Sequence, residues 1–160
     1  MTICSIVRFA VTGFILGMCM TAPVFAAQQG VEKGKCPEVV LKSPAGDMIH
    51  LTDFKGKHPV LLVFWASWCT DCREEIPRLS KINAGRFKVI AVNEGESAWK
   101  TKRYVSMNKI DYQVVLDSDG AVAKAFQVPG VPASVIIGAS GSIVYRGIGL
   151  PEQIDSYADK

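Results

Sequence analysis

The stretch that most constrains the fold is PVLLVFW at 59–65. Seven residues pass without a polar side chain, and several are β-branched or aromatic. A half-exposed strand would alternate apolar and polar residues, so this run fits a central strand covered on both faces. Such a strand needs a layer above and a layer below it. The rest of the chain supplies both. Residues 70–83 place Ile76, Leu79 and Ile82 on one helical face, and FKVIAVN at 87–93 is a second buried strand. A helix over 97–108, a strand YQVVLD at 112–117 and a short helix GAVAKAF at 120–126 follow. ASVIIGASGSIVYRGIG at 133–149 reads as two strands joined by a tight antiparallel hairpin at 139–142, with a short helix over 151–158 behind it. Upstream, 37–51 reads as two short strands around the turn residues 43–47. The order ββ, βαβαβα, ββα predicts an α/β fold: a mixed central sheet flanked by helices, opened by an N-terminal β-hairpin.

A chain of 160 residues is one domain, and 49% hydrophobic content builds a core without disulfide staples. The net charge is only +3 and no Lys/Arg cluster is interleaved with aromatics, which argues against nucleic acid as a partner. Residues 1–26 have the layout of a secretory signal: Arg8, an uncharged and mostly apolar run at 9–22, and small residues at Ala26 and Ala27 around the expected cut. An uncleaved anchor competes, since 9–27 is nearly long enough to span a bilayer. Residues 27–36 read as a flexible lead-in and 37–160 as the domain. Both readings of the N-terminus place the domain in a periplasmic or other extracytoplasmic, oxidising compartment. Loss of the signal removes Cys4 and Cys19 and leaves Cys36, Cys69 and Cys72. An odd number cannot make a closed disulfide framework.

The chemistry concentrates in FWASWCTDCREEIP at 64–77, where a C-x-x-C lies between the end of a central strand and the start of a helix. The first N–H groups of a helix lack partners and the helix dipole is positive there. A thiolate at Cys69 is stabilised by both, while Cys72, one turn later, is expected to be more buried and protonated. The spacing separates an attacking thiol, Cys69, from a resolving thiol, Cys72. Competing readings are weaker. Zinc needs about four ligands, and only Cys36, His50 and His58 stand beside the pair, without ligand spacing. A structural bridge this short stabilises little. No cofactor is expected beyond the Cys69–Cys72 disulfide itself. LDSD at 116–119 reads as a turn and helix cap rather than a calcium loop, and Pro132 in VPGVPAS as the first residue of a strand.

On these residues the chain resembles a thioredoxin-like protein of the TlpA/ResA type. The resemblance covers about 36–158 and is most specific in LTDFKGKHPVLLVFWASWCTDCREEIP, supported by VIAVNEGES, VVLDSDGAVAKAFQVPGVPASVII and GSIVYRGIG. It implies a thioredoxin-like fold with a central β/α insertion between 98 and 127. It also implies a cis peptide before Pro132 beside the cysteine pair, with the Val131 backbone open to an extended substrate. The implied activity is that of an extracytoplasmic thiol-disulfide oxidoreductase reducing protein disulfides, including the haem-binding cysteines of apocytochrome c. A membrane electron carrier of the DsbD or CcdA kind would re-reduce it, and a monomer is expected. Glu75, three residues after Cys72, matches an acidic residue of the group and is a candidate proton acceptor for Cys72. Trp68 is a candidate exposed rim for a protein substrate, whereas Trp65 is expected in the core. The chain departs from its relatives in two places. Val63 stands where cytoplasmic thioredoxins carry a buried aspartate, and Thr70-Asp71 separates the cysteines where the group often has proline second. The Asp71 charge disfavours a Cys69 thiolate and so favours donating electrons, with Arg73 partly offsetting it. Two alternatives stay open: net oxidation of exported proteins, and a non-catalytic binding module or copper chaperone using the pair as soft ligands. Cys36 has no partner in the sequence and reads first as an exposed or half-buried free thiol, with an intermolecular disulfide or a third redox partner as the alternatives.

Overall fold

The computed structural model describes residues 34–83 and 85–160. The expected signal, 1–26, and most of the lead-in lie outside the described residues.

The central run forms β4 (Val60–Trp65), in which every residue is buried. It pairs in parallel with β5 (Lys88–Glu94), which pairs in parallel with β6 (Gln113–Asp117). On its other side β4 meets β7 (Ala133–Ile137) antiparallel, and β7 continues through the hairpin into β8 (Ser142–Ile148). The N-terminal hairpin, β2 (Val40–Lys42) and β3 (Met48–His50), joins the far edge through Lys42 opposite Leu116. With β1 (Gly34–Lys35) the sheet has eight strands in the order β1-β8-β7-β4-β5-β6-β2-β3. Three helices cover it: α1 (Thr70–Asn83), α2 (Ala98–Met107) and α3 (Ala121–Ala125).

Alternation along β4 divides the interior into two cores, as a doubly covered strand requires. Leu61, Val63 and Trp65 pack with Leu79 of α1, Tyr112, Tyr145 and both cysteines of the pair. Leu62 and Phe64 pack on the opposite face with Leu41, Val115 and Phe126.

Two expectations are corrected. The lead-in is not wholly flexible: Gly34 and Lys35 pair with Ile143 and Ser142 and cover the edge of β8. A two-residue strand has no periodicity to read. The helix expected over 151–158 is a single 3-10 turn, Ile154–Tyr157. Asp155 and Ser156 favour local turns over a continued α-helix. By contrast α1 runs unbroken through Pro77. No helix among the described residues is long and apolar enough to cross a membrane.

The registers decide where the two halves of the site meet. Phe64 lies opposite Ala133 in the β4–β7 pair. Trp65, which leads to the cysteines, and Pro132, which precedes Ala133, therefore leave the same end of the sheet.

Candidate active site

After β4 the chain makes one turn before α1 begins. The Cys69 N–H donates to the Ala66 carbonyl at 3.1 Å, which closes residues 66–69. The Cys69 Sγ then accepts the N–H of Cys72 at 3.2 Å, so the sulfur occupies the place of a helix N-cap acceptor. Cys69 and Cys72 are disulfide-bonded, with Cα atoms 5.3 Å apart. Helix-start N–H groups and the positive dipole end thus face the first sulfur, as expected. The expected difference in burial is absent: Cys69 is 6% and Cys72 5% exposed. The bond draws both sulfurs into the core beneath α1. What lies open beside them is Trp68, 66% exposed, whereas Trp65 is in the core.

The Val131–Pro132 peptide is cis. The Pro132 carbonyl accepts the Gly149 N–H at 3.0 Å, and the Ser134 hydroxyl donates to the Gly149 carbonyl at 2.6 Å. Val131 itself makes no backbone hydrogen bond to any described residue. Gly149 has φ +63°, a left-handed turn that glycine adopts without strain. This turn brings the Leu150 N–H onto Glu75 Oε1 at 3.2 Å. The segment 149–150 is therefore held by Pro132 on one side and by α1 on the other.

Glu75 is half-buried, and its second oxygen is buried with no hydrogen-bond partner among the described residues. Burial raises its pKa above the ordinary carboxylate value; Asp71 adds to the rise, while the Leu150 N–H and Arg78 oppose it. Its neighbours Arg73 and Glu74 are exposed, as are Asp71, His50 and His58. Cys36 is a half-buried free thiol whose pKa burial raises. Among the described residues no three His, Cys, Asp or Glu gather to hold a metal ion.

Sequence reasoning missed a buried polar cluster on the other flank of the cysteine turn. Glu96, 6% exposed, accepts hydrogen bonds from the Ser67 N–H at 2.8 Å and the Ser67 hydroxyl at 2.7 Å. Asn93 Nδ2 donates to it at 2.8 Å, and Lys100 forms an ion pair with it. Burial alone would raise the Glu96 pKa, but hydrogen bonds from Asn93, Lys100 and Ser67 together bring it down to about 2. Asn93 is fully buried and its Oδ1 accepts from Thr101 Oγ1 at 2.8 Å. Nothing in the spacing of these residues marks them as partners.

Comparison with known proteins agrees with this geometry. Residues 33–146 match the AhpC/TSA family. Thiol-disulfide oxidoreductase ResA of Bacillus subtilis is 32% identical over 134 residues, covering 81% of this chain and 74% of its own length. Thiol:disulfide interchange protein CycY of Rhizobium leguminosarum is 36% identical over 103 residues, covering 62% of this chain and 55% of its own. Among solved structures, a Chlorobium tepidum protein classed as a thiol:disulfide interchange protein DsbE superposes with TM-score 0.69 at 28% identity, covering 77% of this chain and 89% of its own. The family match at 33–146 takes in the cysteine turn and the Pro132 corner together, not one motif in isolation. The chain accordingly belongs to the AhpC/TSA family, and it is a ResA-like thiol-disulfide oxidoreductase of thioredoxin-like fold.

Proposed function

We propose that this oxidoreductase reduces protein disulfides outside the cytoplasm, with Cys69 attacking and Cys72 resolving. In the reduced protein the Cys69 thiolate attacks one sulfur of a substrate disulfide. The substrate bond breaks, one substrate thiolate leaves, and a mixed disulfide forms through Cys69. Cys72 then loses its proton and attacks the Cys69 sulfur. The second substrate thiolate leaves, and the pair is left as the disulfide seen here, two electrons having passed to the substrate. The observation that carries this reading is the placement of Cys69 Sγ on the Cys72 N–H at the mouth of α1. A thiolate there keeps a donor and a positive dipole end.

The surroundings fit the assigned roles. Trp68 offers an exposed apolar rim next to Cys69, and Val131 offers an N–H and a carbonyl free to pair with an extended substrate strand. Glu75 lies three residues beyond Cys72 on α1, one turn away, and burial, by raising its pKa, makes it a stronger base toward the Cys72 proton than an ordinary carboxylate. Asp71 between the cysteines disfavours the thiolate form and favours electron donation. The signal-like sequence of the N-terminus supports a reaction in an oxidising compartment, where the pair would need an electron source across the membrane, of the DsbD or CcdA kind. The resemblance to the TlpA/ResA group points to haem-binding cysteines of apocytochrome c as substrates.

The test is a Cys72→Ser variant mixed, after reduction, with proteins of the exported fraction. Trapped mixed disulfides through Cys69 are expected, and Cys69→Ser should abolish them. Redox titration of the wild-type pair separates reductant from oxidant. A potential below about −230 mV supports the proposal, and one near about −120 mV assigns the pair to oxidation instead.

A further inference from the structure

The geometry points to Glu96 as a positioning residue for the exchanging pair. Its carboxylate clamps Ser67, and through the turn 66–69 it holds Cys69 where Cys72 can close on it. This inference rests on the reading of Cys69 and Cys72 as the exchanging thiols.

A buried carboxylate is costly to desolvate unless its lone pairs are met by donors. Here each oxygen takes one bond from Ser67: Oε2 from the N–H and Oε1 from the hydroxyl. The two bonds form a fork that fixes Ser67 in orientation as well as in place. Ser67 is 29 residues away in sequence, while the other donors, Asn93 and Lys100, are neighbours of Glu96 itself. The long-range product of the cluster is therefore the grip on the cysteine turn.

The clamp is anchored on three parts of the fold. Asn93 is the penultimate residue of β5, Thr101 lies in α2 and reaches Asn93, and Ser118 beyond β6 donates its hydroxyl to the Glu96 carbonyl at 3.2 Å. On the other side, Cys69 N–H to Ala66 carbonyl closes the turn that contains Ser67 and Trp68. A displacement of Ser67 has no way to leave Cys69 Sγ undisturbed on the Cys72 N–H. Holding the two sulfurs in reach raises the effective concentration of one for the other, and so makes the disulfide harder to open.

The test measures the equilibrium of the Cys69–Cys72 disulfide with glutathione in the full chain. Glu96→Ala should lower the equilibrium constant for disulfide formation about tenfold, a rise in potential of about 30 mV. It should also slow the attack of Cys72 on a mixed disulfide at Cys69. Ser67→Ala, which removes only the hydroxyl bond and keeps the N–H bond, should shift the constant about threefold in the same direction. Glu96→Gln keeps an acceptor oxygen for Ser67 and should return the constant to within about threefold of wild type. Ile143→Val, a buried change in β8 on the other face of the sheet, should lower the melting temperature without moving the constant. The proposal is overturned if folded Glu96→Ala or Ser67→Ala stays at the wild-type value. It is equally overturned if Glu96→Gln is as oxidising as Glu96→Ala, or if Ile143→Val moves the constant as far as Glu96→Ala. A wild-type pair that does not exchange with glutathione is a separate outcome, which overturns the oxidoreductase reading and this inference with it.

Discussion

Two glutamates flank the cysteine pair, and their surroundings push them in opposite directions. Glu75 is raised because burial outweighs the single N–H and the nearby Arg78, whereas Glu96 is lowered because Asn93, Lys100 and Ser67 more than offset its burial. For Glu75 the sign of the stability effect follows directly. A carboxyl whose folded pKa is raised favours folding when protonated; that contribution is full below the unfolded value and is lost as pH rises through the folded one. Glu75→Gln should therefore flatten the decline in urea midpoint of the oxidised protein as pH rises above the ordinary carboxylate range, about pH 4. The same variant should slow steps in which Cys72 gives up its proton by about tenfold or more, read as decay of a mixed disulfide. A variant that slows turnover and steepens the pH decline would contradict the placement of Glu75. At this scale Cys69, Cys72 and Glu75 were legible from their offsets within the one segment 64–77, and Pro132 from its place just before the strand at 133. It did not show Glu96. A carboxylate that meets its donor 29 residues away looks, in one dimension, like any other surface glutamate.

At the scale of elements, the apolar runs and helical faces were legible nearly to the residue. The helix expected over 70–83 is α1, Thr70–Asn83, and the turn and cap expected at 116–119 is present. The cap is built in an unusual way. Asp117, the last residue of β6 and 2% exposed, accepts the N–H groups of Val122 at 3.0 Å and Ala123 at 2.8 Å. A strand residue thus satisfies the first turn of a five-residue helix that lacks the length to be stable alone. Asp117→Ala leaves two buried donors unpaired and should cost about 1–3 kcal/mol in chemical denaturation. A loss below about 0.5 kcal/mol would mean that water replaces the carboxylate there. The misread elements were those without a pattern. β1 is two residues long, and the last turn is defined by its packing against the core through Ile154 and Ala158.

At the scale of the whole molecule, Cys36, the third cysteine among the described residues, takes its meaning from its distance to the pair. Cys36 lines a cavity of about 570 Å3 together with Val60 and Ile137, at the start of β4 and the end of β7. It packs against the core on one face of the sheet, and the disulfide belongs to the core on the other. Six residues of extended strand put roughly 20 Å between them along β4. Cys36→Ser should leave the potential of the pair unchanged within error. Disulfide mapping after prolonged incubation of the native protein should return Cys69 and Cys72 bridged only to each other, with isomers linking Cys36 to the pair emerging in denaturant. Isomers formed under native conditions would refute this separation. The central strand is thus an insulator: it keeps the Cys36 sulfur out of the electronics of the 69–72 pair, with scrambling between them forbidden for as long as the sheet stays intact.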